Sequence, residues 1–139
     1  MQPVLNNEGV ANSLATQTDT IVVELHDQSS FALVASKKTV LQTDGTVSAT
    51  FAKPAGSYYI AVKHRNTLQT WSANAIACTA SAPLYNFTTA ANKAYGNNQY
   101  QVEPGVWVFY TGDINQDDFI DGNDFPMFDQ DSYNGITGE

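Results

Sequence analysis

The sequence predicts an all-β chain: an antiparallel, Ig-like β-sandwich of about seven strands, followed by an acidic loop and a short helix. Three observations predict it. Short stretches of alternating apolar and polar residues recur at intervals of about 10 residues. Gly, Pro, Asn and Asp gather between them as turn signals. No segment before Asp124 carries the apolar period of an amphipathic helix. At 139 residues, 42% hydrophobic and 12% aromatic, the chain has enough apolar side chain for a core, which excludes global disorder. The expected organisation is an N-terminal extension or linker over 1–18, the sandwich over 19–111, and the loop-and-helix segment over 112–139.

Residues 1–18, rich in Asn, Gln, Thr and Ala, show no period; a linker, an edge strand and the remnant of something upstream are all open readings. From Asp19 the period is two. In DTIVVELHD, Ile21, Val23 and Leu25 alternate with Val22, Glu24 and His26, as in a half-buried strand. FALVAS repeats the alternation. VLQTDGTVSATF reads as two strands around Asp44-Gly45, a dipeptide that supplies the left-handed backbone of a hairpin turn. Pro54-Ala55-Gly56 marks the next turn. In SYYIAVKHR, Tyr58, Ile60, Val62 and His64 share one face, and Tyr59, Ala61, Lys63 and Arg65 the other. Leu68–Ser72, Ala75–Cys78, Tyr85–Thr88 and Gly105–Tyr110 complete the strands, with one helical turn at Ala90–Ala94.

The stretch GDINQDDFIDGND, Gly112–Asp124, carries chemistry. Counted from Asp113, oxygen-bearing side chains stand at positions 1, 3, 5, 9 and 12: Asp113, Asn115, Asp117, Asp121 and Asp124. This is the side-chain ligand spacing of an EF-hand-type calcium loop, in which position 7, here Phe119, contributes its backbone carbonyl. Calcium suits the set because it is a hard cation that accepts six to eight oxygens at irregular angles. Charge agrees. Seven of the 14 acidic residues fall between Asp113 and Asp131 with no Lys or Arg among them; elsewhere seven acids face six bases. Carboxylates so crowded repel one another unless a cation lies between them. The alternative is a solvated acidic tail, which would need neither this spacing nor Ile120 and Phe125 among the acids. Two positions depart from the commonest pattern. Position 6, usually Gly because φ is positive there, is Asp118; position 12 is Asp124 where a longer Glu is usual.

Other chemistry is sparse. A pI of about 4.4 and the lack of a basic patch argue against nucleic-acid partners, and no apolar run is long enough for a membrane span. Cys78 is the only cysteine, so it offers neither an internal disulfide nor a zinc cluster; within AIAC it reads as a buried structural thiol. No signal peptide is evident at Met1. His64, Arg65 and Asn66 suggest a sugar or carboxylate contact beside Trp71; the preferred reading has Arg65 and Asn66 tying down the following loop through its backbone while His64 packs inside. Trp107 is expected in the core. The sequon Asn86-Phe87-Thr88 is read as incidental. No triad, phosphate loop, histidine metal cluster or second carboxylate pair points to an enzyme.

Two resemblances follow from these motifs. Gly112–Gly135, with its Asp at position 12 and the helix FPMFDQDSYNG, resembles a dockerin-type calcium half-repeat. SYYIAVKHRNTLQTWS, YNFTTAANKAYG and EPGVWVFYTGDINQD together resemble a β-sandwich module of large secreted and surface proteins of Bacteroidetes, over roughly residues 19–133. That resemblance implies export by type IX secretion, a secreted or cell-surface location, and a non-catalytic role in adhesion or assembly with calcium as a structural lock. It also implies a second half-repeat after the first, so a chain ending at Glu139 is expected to be a fragment or processed piece. The alternative is a carbohydrate-binding module attached to a secreted hydrolase, for which exposed, coplanar Tyr58, Tyr59 or Trp71 would speak. Protein, self-association by strand addition to an open sheet edge, and carbohydrate remain as partner classes.

Overall fold

A computed structural model describes residues 1–52, 55–79 and 83–134. Within them the chain is mostly β and wholly antiparallel, in agreement with the all-β class. One sheet runs in the order β2-β1-β3-β4, with β5 also on the outer edge of β3; β6 and β7 form a separate two-stranded sheet. The strands are β1 Gln17–Asp27, β2 Leu33–Gln42, β3 Gly56–His64, β4 Thr67–Trp71, β5 Ile76–Cys78, β6 Tyr100–Glu103 and β7 Val106–Val108.

β1 is the centre of the sheet. Val23 pairs with Val62 and Leu25 with Ile60 on β3, so the apolar sets of both strands share one face. Ile21, Val23 and Val62 form the buried core, covered by Leu41, Ala49, Phe51, Phe87 and Phe109. The other face of β1 is covered as well: Glu24 and His26 are buried, where alternation alone predicts a half-buried strand.

Several elements differ from the sequence reading. The LVAS of FALVAS and VLQ belong to one strand, β2, because Ser36–Thr39 contains no Gly, Pro, Asn or Asp and Lys37 and Lys38 pair in register with Val23 and Val22. The Asp44-Gly45 turn forms, with Gly45 at φ +85° and Asp44 Oδ1 accepting the N–H and Oγ1–H of Thr46. Its return arm, however, is only a bridge between Leu41 and Val47, because the chain leaves the edge to seat Ala49 and Phe51 on the core. Tyr85–Thr88 is not a strand: Asn86 Oδ1 accepts both the N–H and the hydroxyl of Thr88, a local turn that competes with a ladder. Phe87 nevertheless packs edge-on against Phe109, centroids 5.4 Å apart. β6, a short polar run, carries too little pattern to be read in advance; Pro104-Gly105 turns it into β7. The helical turn expected at Ala90–Ala94 is a 3₁₀ turn over Ala91–Lys93. Pro54 of the Pro54-Ala55-Gly56 turn lies outside the described residues.

The N-terminal extension is ordered against the sheet. Helix α1, Val4–Asn7, contacts β1, and the Met1 amino group donates to Thr43 O at 2.6 Å. At the other end, Leu68 N–H donates to Tyr110 O and Gly112 N–H to Asn66 O at 2.7 Å. Residues 110–112 are thus laced to the start of β4 and deliver the acidic loop to one end of the sheet. Helix α2, Phe125–Asn134, follows; Gly135, the last residue of the expected helix, lies outside the described residues. Among the described residues no helix is long and apolar enough to cross a membrane.

Candidate metal centre

The loop closes on itself through Asp124. Its Oδ1 accepts the backbone N–H of Ile114 at 2.7 Å and of Asn115 at 3.2 Å, and its Oδ2 that of Asp121 at 2.9 Å. Position 12 is thereby tied to positions 2, 3 and 9. The Asp121 N–H is the foremost cause that holds the Asp124 carboxyl below the usual carboxylate range; burial opposes it, and the Asn115 and Ile114 N–H groups add to it. Asp113 is 1% exposed and Asp124 5%. Asp113 Oδ1 accepts Asp117 N–H at 3.1 Å, and Gln116 Nε2 donates to Asp113 O.

Asn115 bridges to Asp117: its Oδ1 accepts Asp117 N–H, and its Nδ2 donates to Asp117 Oδ2 at 2.9 Å. Asp117 Oδ1 accepts Phe119 N–H, and Asp121 Oδ1 accepts Asn123 N–H at 2.7 Å. Asp118, at position 6, takes φ +68°, the left-handed backbone that this position requires and that Asp tolerates better than most residues. Phe119 points outward at 68% exposure, consistent with a position that offers only its carbonyl. Among the described residues no three His, Cys, Asp or Glu side chains gather as a metal-binding group; the loop carboxylates are turned to backbone N–H groups instead.

Next to the loop's entry lies a second polar cluster that spacing alone does not assemble. Asp19 Oδ2 meets His64 Nε2 at 3.1 Å and Arg65 Nη2 at 2.9 Å, and Asp19 Oδ1 accepts Thr20 N–H. Burial pushes the Asp19 carboxyl up, but His64, the Thr20 N–H and the charge of Arg65 outweigh it and hold the group below its ordinary value. His64 Nδ1 also meets Asn66 Oδ1 at 2.7 Å. Arg65 therefore grips a carboxylate 46 residues away and not the loop carbonyls expected of it; the backbone tie belongs to Asn66, whose carbonyl takes the Gly112 N–H.

On the face of the sheet opposite the core, Trp71 packs on His26 with centroids 4.1 Å apart, beside Tyr59 at 6.1 Å and Phe31 at 6.5 Å. Their planes are inclined by 32–54°, so these rings form no coplanar platform; Tyr58 is buried. Trp107 is half-buried on a hairpin whose other residues are exposed, not a core residue, and Cys78 is half-buried on β5. The sequence reading gives Glu24, His26 and Phe31 strand positions but no contact with one another or with Trp71. The signal available for the Glu24–His26 pair was the polar half of the β1 alternation, which a central strand also buries.

Comparison with protein-family models, with curated proteins and with solved structures finds no match to this chain.

Proposed function

We propose that the chain is a non-catalytic, calcium-binding module of a bacterial secreted or surface protein, used for adhesion or assembly, in which calcium locks the C-terminal segment onto the β body. The observation that carries this reading is the pair of buried carboxylates, Asp113 and Asp124, at the two ends of a loop with no Lys or Arg anywhere after Lys93. Buried anions require a compensating charge. The donor set is all oxygen, which suits calcium over zinc or copper, and the positive φ at Asp118 matches the turn such a loop needs. The side chains of Asp113, Asn115, Asp117, Asp121 and Asp124 and the carbonyl of Phe119 would hold the ion. When bound, it supplies charge neutralisation and cross-linking of the loop, not chemistry on a substrate.

The same reading takes the body as a two-layered, Ig-like sandwich whose second layer is completed by the 49–51, 85–88 and 106–109 segments over Ile21, Val23 and Val62. Dockerin-like pairing, type IX export and an extracellular site belong to it through the motif resemblance. Calorimetric titration of the metal-stripped chain with calcium is the test. One site is expected, weakened at least a hundredfold by Asp113→Ala, since that change removes about 2.7 kcal/mol or more of binding. Absence of binding heat, or an Asp113→Ala chain that titrates like the parent, overturns the reading.

A further inference from the structure

We propose that the face of the sheet opposite the core binds a neutral sugar ring, with Phe31, Tyr59 and Trp71 taking its C–H face and Gln69 and Lys63 its hydroxyls. The floor of this face is Ala61, 0% exposed, paired with Glu24 on β1 and Trp71 on β4. A residue this small lets the indole lie across the sheet onto His26. The neighbouring pair, His26 and Tyr59, extends the surface toward Phe31, whose ring is 5.5 Å from Tyr59.

Phe31 is the second, independent observation. It sits in the left-handed backbone region, φ +58°, which a bulky non-glycine residue occupies only when its surroundings force it, and such strain gathers at ligand clamps. The surroundings do force it. Asp27 Oδ1 accepts the N–H groups of Ser29 and Ser30 and the Ser30 hydroxyl, Asp27 O accepts Phe31 N–H, and His26 Nδ1 meets Phe31 O at 3.0 Å. What this holds in place is an aromatic ring 53% exposed, so the strain is not repaid by burial.

The polar rim selects the occupant. Glu24 is met by His26 at 3.1 Å and Lys63 at 3.6 Å, with the Gln69 amide at 3.5 Å. The carboxylate is already compensated, so the surface offers no free charge to an ammonium or a basic peptide. Gln69 and Lys63, the latter 40% exposed, keep donors for hydroxyl oxygens, and Gln69 keeps an acceptor. An apolar surface edged by neutralised hydrogen-bonding groups matches a polyol with one apolar face. The inclined rings fit one sugar unit better than a flat run of several.

The test uses Trp71 as its own reporter. Trp107→Phe leaves Trp71 as the only tryptophan, because the chain has two. Its emission is followed as neutral hexaoses of glucose (β-1,4 and β-1,3), mannose and xylose are added, while electrophoresis of the unaltered chain through gels holding the matching polysaccharides gives a second readout. At least one neutral glycan is expected to shift Trp71 emission saturably and to retard the unaltered chain. Phe31→Ala and Tyr59→Ala should each weaken binding about tenfold, the loss of one stacked ring, with melting temperature retained by the exposed Phe31→Ala variant. Binding should persist in chelator, which separates it from the calcium reading. No retardation by any neutral glycan, retardation by alginate or hyaluronan alone, binding that vanishes with chelator, or ring variants that bind like the parent would each overturn the proposal.

Discussion

Asp19 shows how a single side chain couples distant parts of this chain. It is 8% exposed, yet stays ionised because Arg65, His64 and the Thr20 N–H all address it. Its folded-state affinity for a proton is below that of the unfolded chain, so its stabilisation is present above the ordinary carboxylate range and is lost as pH falls through the folded value. Asp19→Asn should therefore lower stability at neutral pH and flatten the acid limb of a stability-versus-pH curve, as read by urea unfolding between pH 2 and 7. Arg65→Ala should cost about 1 kcal/mol, near the upper end for a partly exposed pair, because Arg65 is 38% exposed and His64 still covers Asp19. A larger loss would mean that Arg65 also braces the loop entry. The residues 64–66 were legible in sequence as a structural cluster, but their partner was not: nothing in spacing couples Arg65 to a carboxylate on the first strand. Only antiparallel pairing of β1 with β3 brings the two together.

At the scale of elements, what the sequence carries is period and punctuation, and these located β1, β3, β4 and β5 closely. Where tertiary contacts outweigh local pattern the reading departs from the fold. The arm after Asp44-Gly45 has strand-like residues, yet burying Phe51 takes it off the edge. The Asn86–Thr88 segment has the composition of a strand, yet its own side chains bond its backbone. In the acidic loop, what was legible is the backbone: the positive φ at Asp118 follows from its place as position 6 of the spacing. Less visible was the demand on Gly112. Its φ is +120°, and a Cβ there would meet Ile120 Cγ2 at 3.1 Å, so the glycine lets position 8 of the loop fold back over its entry. Gly112→Ala should cost roughly 1–3 kcal/mol in backbone strain and weaken calcium binding, with the Trp71 environment unchanged. Calorimetry on the variant checks this; an unaltered calcium affinity would mean that the loop re-forms around the added methyl.

For the whole molecule, the question is whether the acidic loop is part of the fold or fastened to its edge. Its attachments are few: Leu68 to Tyr110, Asn66 to Gly112, and the bridge of Thr67 with Thr111. The buried core of Ile21, Val23 and Val62 lies on β1 and β3 and, among the described residues, receives nothing from beyond Phe109. Phe125 and Phe128 of α2 are exposed, at 65% and 58%, so the helix adds little burial of its own to the β body. A lock of this kind stabilises by mass action. With a dissociation constant near 10 μM, roughly 1 mM calcium would add about 2.7 kcal/mol, a large share of the roughly 5–15 kcal/mol typical of a domain. Because few contacts cross from the loop to the core, that gain should be local. Chelation is expected to speed hydrogen exchange across 112–134 while Ile21–Leu25 and Ile60–His64 keep their protection. Exchange measured by mass spectrometry with and without chelator decides it. Loss of protection in both strands would make the loop integral to the fold, and no change anywhere would remove calcium from its role.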